Sequence, residues 1–406
     1  MQTVSAAVAS AITPPPLDLA VPFQRWLETP DFWYAGIPVI AVCQRKGGPG
    51  KTTLTRMLAE YLAIVLKLRV LLIDLDTQCG LSFLYLKMEM KDETGTIRPP
   101  VHPDYQAEGL RFSSADLWWT AAPVPYAATR LHGNFFIDIL PGDKQLLQTA
   151  ERRYREEQER EREKGGRGKN GLQVKIENRV LEFLTDCSDA LKQRYDVVLM
   201  DTPAQESPIT LSAWRAATHV LVPFVYEEQC VRGTRDMISR WTAENSMRPY
   251  ERRLEILGIQ PNLVKSRRKL HRLTYEKTVH RPGFQDHLSP IQIPDRGEFS
   301  ERDTDDATPV SIFQLAPSNQ ARMIGEHFGA WVSRRLFNLP GKGLMLDIPE
   351  PSPLPKDVIN PFLKPVRKRN NEKEDADDGA DAEEVESTSV IKKAVARKRR
   401  VANAGA

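Results

Sequence analysis

Between residues 37 and 337, short unbroken apolar runs alternate with stretches in which apolar side chains recur every three or four positions. The first run, Ile37, Pro38, Val39, Ile40, Ala41, Val42 and Cys43, stops at a glycine-rich turn and predicts a buried strand. Directly after the turn, Leu54, Met57, Leu58, Tyr61, Leu62 and Val65 line one face of a helix. Further runs at 70–73, 135–140, 197–200, 219–224, 254–259 and 291–293 predict strands, and their continuity suits parallel strands covered on both faces. Residues 175–193 and 231–245 read as intervening helices. Residues 318–336 place Ile324, Phe328, Trp331, Val332 and Leu336 on one face, with Arg334 and Arg335 near the C-terminal end, where the helix dipole favours cations. That helix is expected to dock on the sheet and close the domain. The order predicts an α/β fold: a doubly wound, mostly parallel sheet with helices on both faces.

A chain of 406 residues with 41% hydrophobic content can bury one α/β core of roughly 200–300 residues and leave charged extensions outside it. The expected division is a Pro-containing N-terminal extension over 1–34, one domain over 35–338, and a disordered charged tail over 339–406. Within the domain, residues 151–164 are almost wholly charged and read as a solvated helix or mobile insertion, taken as about 151–170. The tail carries a basic cluster at Arg367, Lys368 and Arg369, an acidic block over 372–386, and a second basic cluster at 397–400. Net charge is only +3, so any nucleic-acid surface must be local. Cys43, Cys79, Cys187 and Cys230 form no CxxC pair, which argues against a zinc site or a disulfide framework and fits a reducing cytosol. The small-residue run at 4–12 lacks a positive n-region, so a disordered leader is expected rather than a signal peptide. No run approaches the roughly 18–20 apolar residues of a membrane-spanning helix.

The turn after the first strand reads Arg45, Lys46, Gly47, Gly48, Pro49, Gly50, Lys51, Thr52, Thr53. Phosphate binding needs converging backbone N–H groups, glycines that permit close approach, a helix N-terminus behind them and a lysine for the terminal phosphates. Lys46, Gly47, Gly48, Pro49, Gly50 and Lys51 supply such a loop. Thr52 stands where a hydroxyl ligates Mg²⁺, and Thr53 opens the helix within reach of the inner phosphates. The pattern GxxxxGK[ST] fails at its first position, Arg45, and a second lysine, Lys46, lies inside the loop.

That deviant form, KGGxGK[ST][ST], resembles the ParA and MinD superfamily of dimerising ATPases, whose fold is the P-loop NTPase sheet and whose cofactors are ATP and Mg²⁺. The resemblance implies that Lys46 reaches phosphate across a dimer interface. The string Asp74, Leu75, Asp76, Thr77, Gln78, Cys79, Gly80 is similar to the ParA string DxDPQG at the carboxyl end of the second strand, where ligands sit in open α/β sheets. By that resemblance Asp76 positions the attacking water, with Asp74 and Gln78 in support. Thr77 replaces the family's proline and Cys79 its glycine. Residues 195–203 form an apolar strand ending in Asp201, the form of a Walker B segment that acts on Mg²⁺. Asn262 and Pro294 fall where adenine contacts are expected.

For output, Lys265 to Arg272 concentrates charge in Arg267, Arg268, Lys269 and Arg272, and two copies in a dimer would widen a phosphate-binding surface. The resemblance therefore implies a homodimer formed on ATP binding, nonspecific DNA binding, stimulation by a ParB-like centromere-binding protein, and a cytoplasmic, nucleoid-associated location. The alternative is a MinD-like cargo-positioning ATPase acting at a membrane or on a protein complex. Residues 390–401 are too polar to insert well into a lipid interface, so a membrane partner is not expected.

Overall fold

The computed structural model describes residues 37–91, 95–118, 123–131, 133, 135–163, 177–249, 252–300, 310–337, 346–354 and 362. The expected N-terminal extension, the charged clusters of the tail and residues 164–170 of the charged insertion lie outside them.

Strand β1 (Val39–Val42) feeds through the glycine loop into helix α1 (Lys51–Glu60), which continues as one π-helical turn over Tyr61–Val65. Strand β2 (Val70–Asp74) is followed by the short helix α2 (Gly80–Tyr85). An antiparallel pair, β3 (Glu89–Lys91) and β4 (Thr96–Arg98), precedes β5 (Tyr126–Ala127) and β6 (Ile137–Leu140). Then come α3 (Lys144–Glu163), α4 (Arg179–Asp186), α5 (Ser188–Arg194), β7 (Val197–Asp201), α6 (Pro208–Ala216), β8 (His219–Phe224) and α7 (Glu228–Met247). Strand β9 (Glu255–Pro261), α8 (Lys269–Thr278), α9 (Gly297–Ser300) and α10 (Gln320–Phe337) complete the order.

Among the described residues the main sheet runs β5-β6-β2-β7-β1-β8-β9, parallel throughout except for the antiparallel edge strand β5. Alternation along each strand divides two cores. Ile40, Val42, Val70 and Leu72 face α1 and α10, whereas Val39, Ala41, Leu71 and Ile73 face the layer that holds Leu184, Ala213 and Val231. Because β7 lies between β1 and β2, Asp201 pairs in register with Val42 on one side and Asp74 on the other. Strand order alone thus brings the end of β1 and two carboxylates to one edge of the sheet.

Several boundaries differ from the sequence reading. Residues 291–293 form no strand: Ile291 and Ile293 are buried, and Ile293 donates to the Pro261 carbonyl at 3.1 Å and accepts from Val264 N at 3.0 Å, but the pairing stops at an isolated bridge between Val264 and Pro294. Proline offers no N–H to carry that pairing further. The helix expected over 175–193 breaks at Cys187 into α4 and α5. The helix that carries the charged segment begins before residue 151, at Lys144, and buries Leu147. Past residue 338 the described chain still packs: Ile348 and Leu354 join the α1 and α10 core, and the Phe362 ring stacks on Tyr275 at 5.0 Å.

Candidate active site

Gly48 and Gly50 adopt φ of 85° and 83°, the left-handed region that costs a residue bearing a Cβ about 1–2 kcal/mol. A Cβ on Gly48 would meet nothing within 4 Å, so the loop curves around open space. A Cβ on Gly50 would lie 2.2 Å from the Asn262 amide nitrogen, which donates to the Pro49 carbonyl at 2.8 Å. Gly50 is also the N-cap of α1, and no side chain caps that turn, which leaves its first N–H groups to an anion. Lys51 is buried and makes no ion pair among the described residues. The loop is held from behind by Gln44, whose amide donates to the Pro223 carbonyl at 2.8 Å and to Thr234 Oγ1 at 3.1 Å.

Thr52 Oγ1 donates to Asp201 Oδ2 at 2.6 Å, while the buried Asp201 Oδ1 has no partner. A hydroxyl and a carboxylate joined in this way, with one oxygen orphaned beside a phosphate loop, fit the donor set of Mg²⁺. Asp74 is equally buried and accepts from Ser82 N and Ser82 Oγ at 2.8 and 2.6 Å, and from Asp76 N at 3.1 Å. Burial, followed by the Asp74 charge, pushes the Asp201 carboxyl well above the usual range. Burial also raises Asp74, against the bonds from Ser82. Two buried carboxylates on neighbouring strands ionise only at a cost, which a bound cation would offset.

Asp76 sits half-buried just beyond β2, and its Oδ1 accepts from Gln78 N at 3.0 Å. Cys79, at the family's glycine position, adopts the left-handed region at φ 55°. Its thiol is buried, and a Cβ on Gly142 would lie 2.9 Å from its Sγ.

The remaining residues separate into groups. Lys46 pairs with Glu227, which also accepts from Arg268 at 3.0 Å. Glu227 went unmarked in the sequence, although its position just past β8, at the carboxyl end of a sheet strand, is where site residues gather. Asn262 lies under the phosphate loop, and Pro294 bridges to Val264 two residues further along. Of the basic segment, Arg272 bonds Glu276 at 3.1 Å, while Arg267 and Lys269 are exposed with no ion pair among the described residues.

An anion cradle with a metal-competent carboxylate beneath it is the working part of a P-loop nucleotide-binding protein, and this parallel sheet presents it where such proteins do. Residues 40–310 match the CobQ/CobB/MinD/ParA nucleotide binding domain, and the chain belongs to that family, as its deviant loop implied. It is 32% identical over 189 residues to a protein named replication protein A from Sinorhizobium fredii, covering 46% of this chain and 39% of that one. It is 27% identical over 288 residues to the chromosome partitioning protein ParA of Caulobacter vibrioides, covering 68% and 87%. The chain thus spans about two-fifths of the length of the first of these relatives. Among solved structures, an ATP complex of a Cyanothece McdA variant shares the fold, with TM-score 0.52, 16% identity, and coverage of 74% of this chain and 96% of that one.

Proposed function

We propose that this chain is an ATPase that binds ATP with Mg²⁺, closes as a nucleotide-sandwich homodimer, binds DNA without sequence preference, and hydrolyses ATP when a ParB-like partner stimulates it, driving segregation of a plasmid or chromosome. The observation that carries the reading is the Thr52–Asp201 contact, with its orphaned oxygen, beneath a loop that carries two lysines. Relatives named as chromosome partitioning proteins support the output. No helix among the described residues is long and apolar enough to cross a membrane.

In this reading Lys51 neutralises phosphate charge, Thr52 and Asp201 hold the metal, and Asp76 orients the attacking water. Mg²⁺ supplies charge neutralisation of the terminal phosphates. Catalysis by these side chains is positioning and electrostatics, so turnover is slow without a partner. Arg267 and Lys269 face solvent and are the residues offered to DNA phosphates.

The test is duplex-DNA binding by the purified protein with ATP, ADP or no nucleotide, with Asp76→Ala holding the ATP state and a salt titration alongside. Binding that requires ATP, ignores sequence and weakens steeply with salt supports partition. Absence of DNA binding in every state refutes it and points to a membrane or protein cargo.

A further inference from the structure

The Glu227 carboxylate holds two cations from different parts of the chain, one on each oxygen. Lys46 Nζ, from the phosphate loop, takes Oε2, and Arg268, from the turn before α8, takes Oε1 at 3.0 Å. His271 Nε2 stands 3.9 Å from Oε1 and 3.4 Å from the Arg268 guanidinium. Its Nδ1 accepts from the Lys265 backbone N–H at 3.2 Å, which leaves Nε2 facing the pair. Burial and the adjacent Arg268 push the imidazole below its ordinary range, so it is a neutral spacer at pH 7. The bond from Lys46 is the largest cause holding Glu227 below the usual carboxylate range.

In the proposed role Lys46 turns from Glu227 to a nucleotide phosphate across the dimer. If Arg268 were absent, its departure would strand a carboxylate with no counter-ion. With Arg268 in place, Glu227 keeps one cation whichever way Lys46 points. We infer that Glu227 and Arg268 form a charge-exchange site that lets Lys46 leave the protomer's own loop for nucleotide phosphate, and that Arg268 is a positioning residue for Lys46 rather than a DNA contact. The inference rests on the proposed role of Lys46. It also divides the basic segment: Arg268 turns inward to the loop, and Arg267 and Lys269 turn outward.

The coupling between the two cations has a sign. Removing Arg268 strengthens the hold of Glu227 on Lys46, and neutralising Glu227 releases Lys46 whether or not Arg268 is present. All three side chains are partly exposed, so each change is modest, about two- to fivefold.

The experiment is competitive acetylation of the unliganded full-length protein with acetic anhydride, reading Lys46 by mass spectrometry against Lys269 as an internal standard. ATP-dependent dimerisation is followed in parallel by light scattering. Arg268→Ala should slow Lys46 acetylation about two- to fivefold and raise the ATP concentration needed for dimers by a similar factor. Glu227→Gln should speed acetylation, Arg268→Ala/Glu227→Gln should match Glu227→Gln alone, and Arg268→Lys should behave as wild type. Unchanged Lys46 reactivity in Arg268→Ala, or equal and additive losses in the double variant, would overturn the exchange. Acetylation that follows the expected pattern, in a protein that forms no dimer with ATP, would uphold the exchange and refute the sandwich-dimer reading instead.

Discussion

Replacing Asp201 by asparagine should damage the site and, above neutral pH, stabilise the unliganded fold. Burial and the neighbouring Asp74 push the Asp201 carboxyl up to about 8, and Asp74 itself is raised to about 7. In the unfolded chain both ionise near the ordinary value of about 4. The folded state therefore holds protons that the unfolded state has released, and stability falls as pH rises from about 4 towards 8. One proton in this window is worth about 1.4 kcal/mol per pH unit, and the Asp74–Asp201 pair together costs the unliganded protein stability as pH rises through it. Asparagine removes that cost and can still accept from Thr52, but its buried NH₂ lacks a partner, at about 1–3 kcal/mol. The stability curves should cross: wild type is the more stable near pH 5, Asp201→Asn near pH 8. His102, His271 and His287, all lowered by burial, tilt both curves the opposite way and cancel in the difference. Urea unfolding in EDTA at half-unit steps from pH 5 to 8.5 measures it, and a repeat with Mg²⁺ and ATP should flatten the wild-type slope only. Parallel curves across the whole window would refute the account of two carboxylates in want of a cation.

Other changes test neighbouring steps of the argument. Gly50→Ala imposes both left-handed strain and a Cβ 2.2 Å from Asn262, and calorimetric titration should show ATP affinity reduced at least about tenfold. Lys51→Ala should lose nucleotide binding, whereas Asp76→Ala should bind ATP normally and release no phosphate; full hydrolysis by the latter would remove Asp76 from its role. Gly329→Ala would press a Cβ to 2.1 Å from the Tyr61 ring at the π-helical turn, and denaturant unfolding should show a loss of about 1–3 kcal/mol. Arg267→Glu with Lys269→Glu should weaken duplex binding and lower the slope against log salt by about one for each phosphate left unneutralised.

The sheet and the phosphate loop were legible in the sequence because both are local. Strands β1, β2, β7 and β8 announce themselves as continuous apolar runs, and the loop's lysines and glycines are contiguous. Asp201 was legible because its strand ends in it. The failures arise where meaning depends on distant partners. Ile291 and Ile293 are buried as a strand's residues would be, yet their pairing beside the end of β9 stops at a single isolated bridge. Glu227 looks like a surface acid until β8 places it beside Lys46. Arg268 is indistinguishable in sequence from Arg267, and only the fold shows that Arg268 bonds Glu227. Asn262 falls in sequence where a base contact is expected, and only the fold shows that its amide also donates to the carbonyl of Pro49.

The placement of β7 between β1 and β2 bears on when the site can exist at all. Thr52 and Asp201 meet across a separation of 149 residues, and the strand that carries Asp201 is inserted between two made much earlier. On a ribosome the phosphate loop emerges long before its metal partner, and β1 and β2 must wait, unpaired with each other, for the chain that will fill the gap. The site in which Thr52 meets Asp201 is complete only after that central strand has been seated.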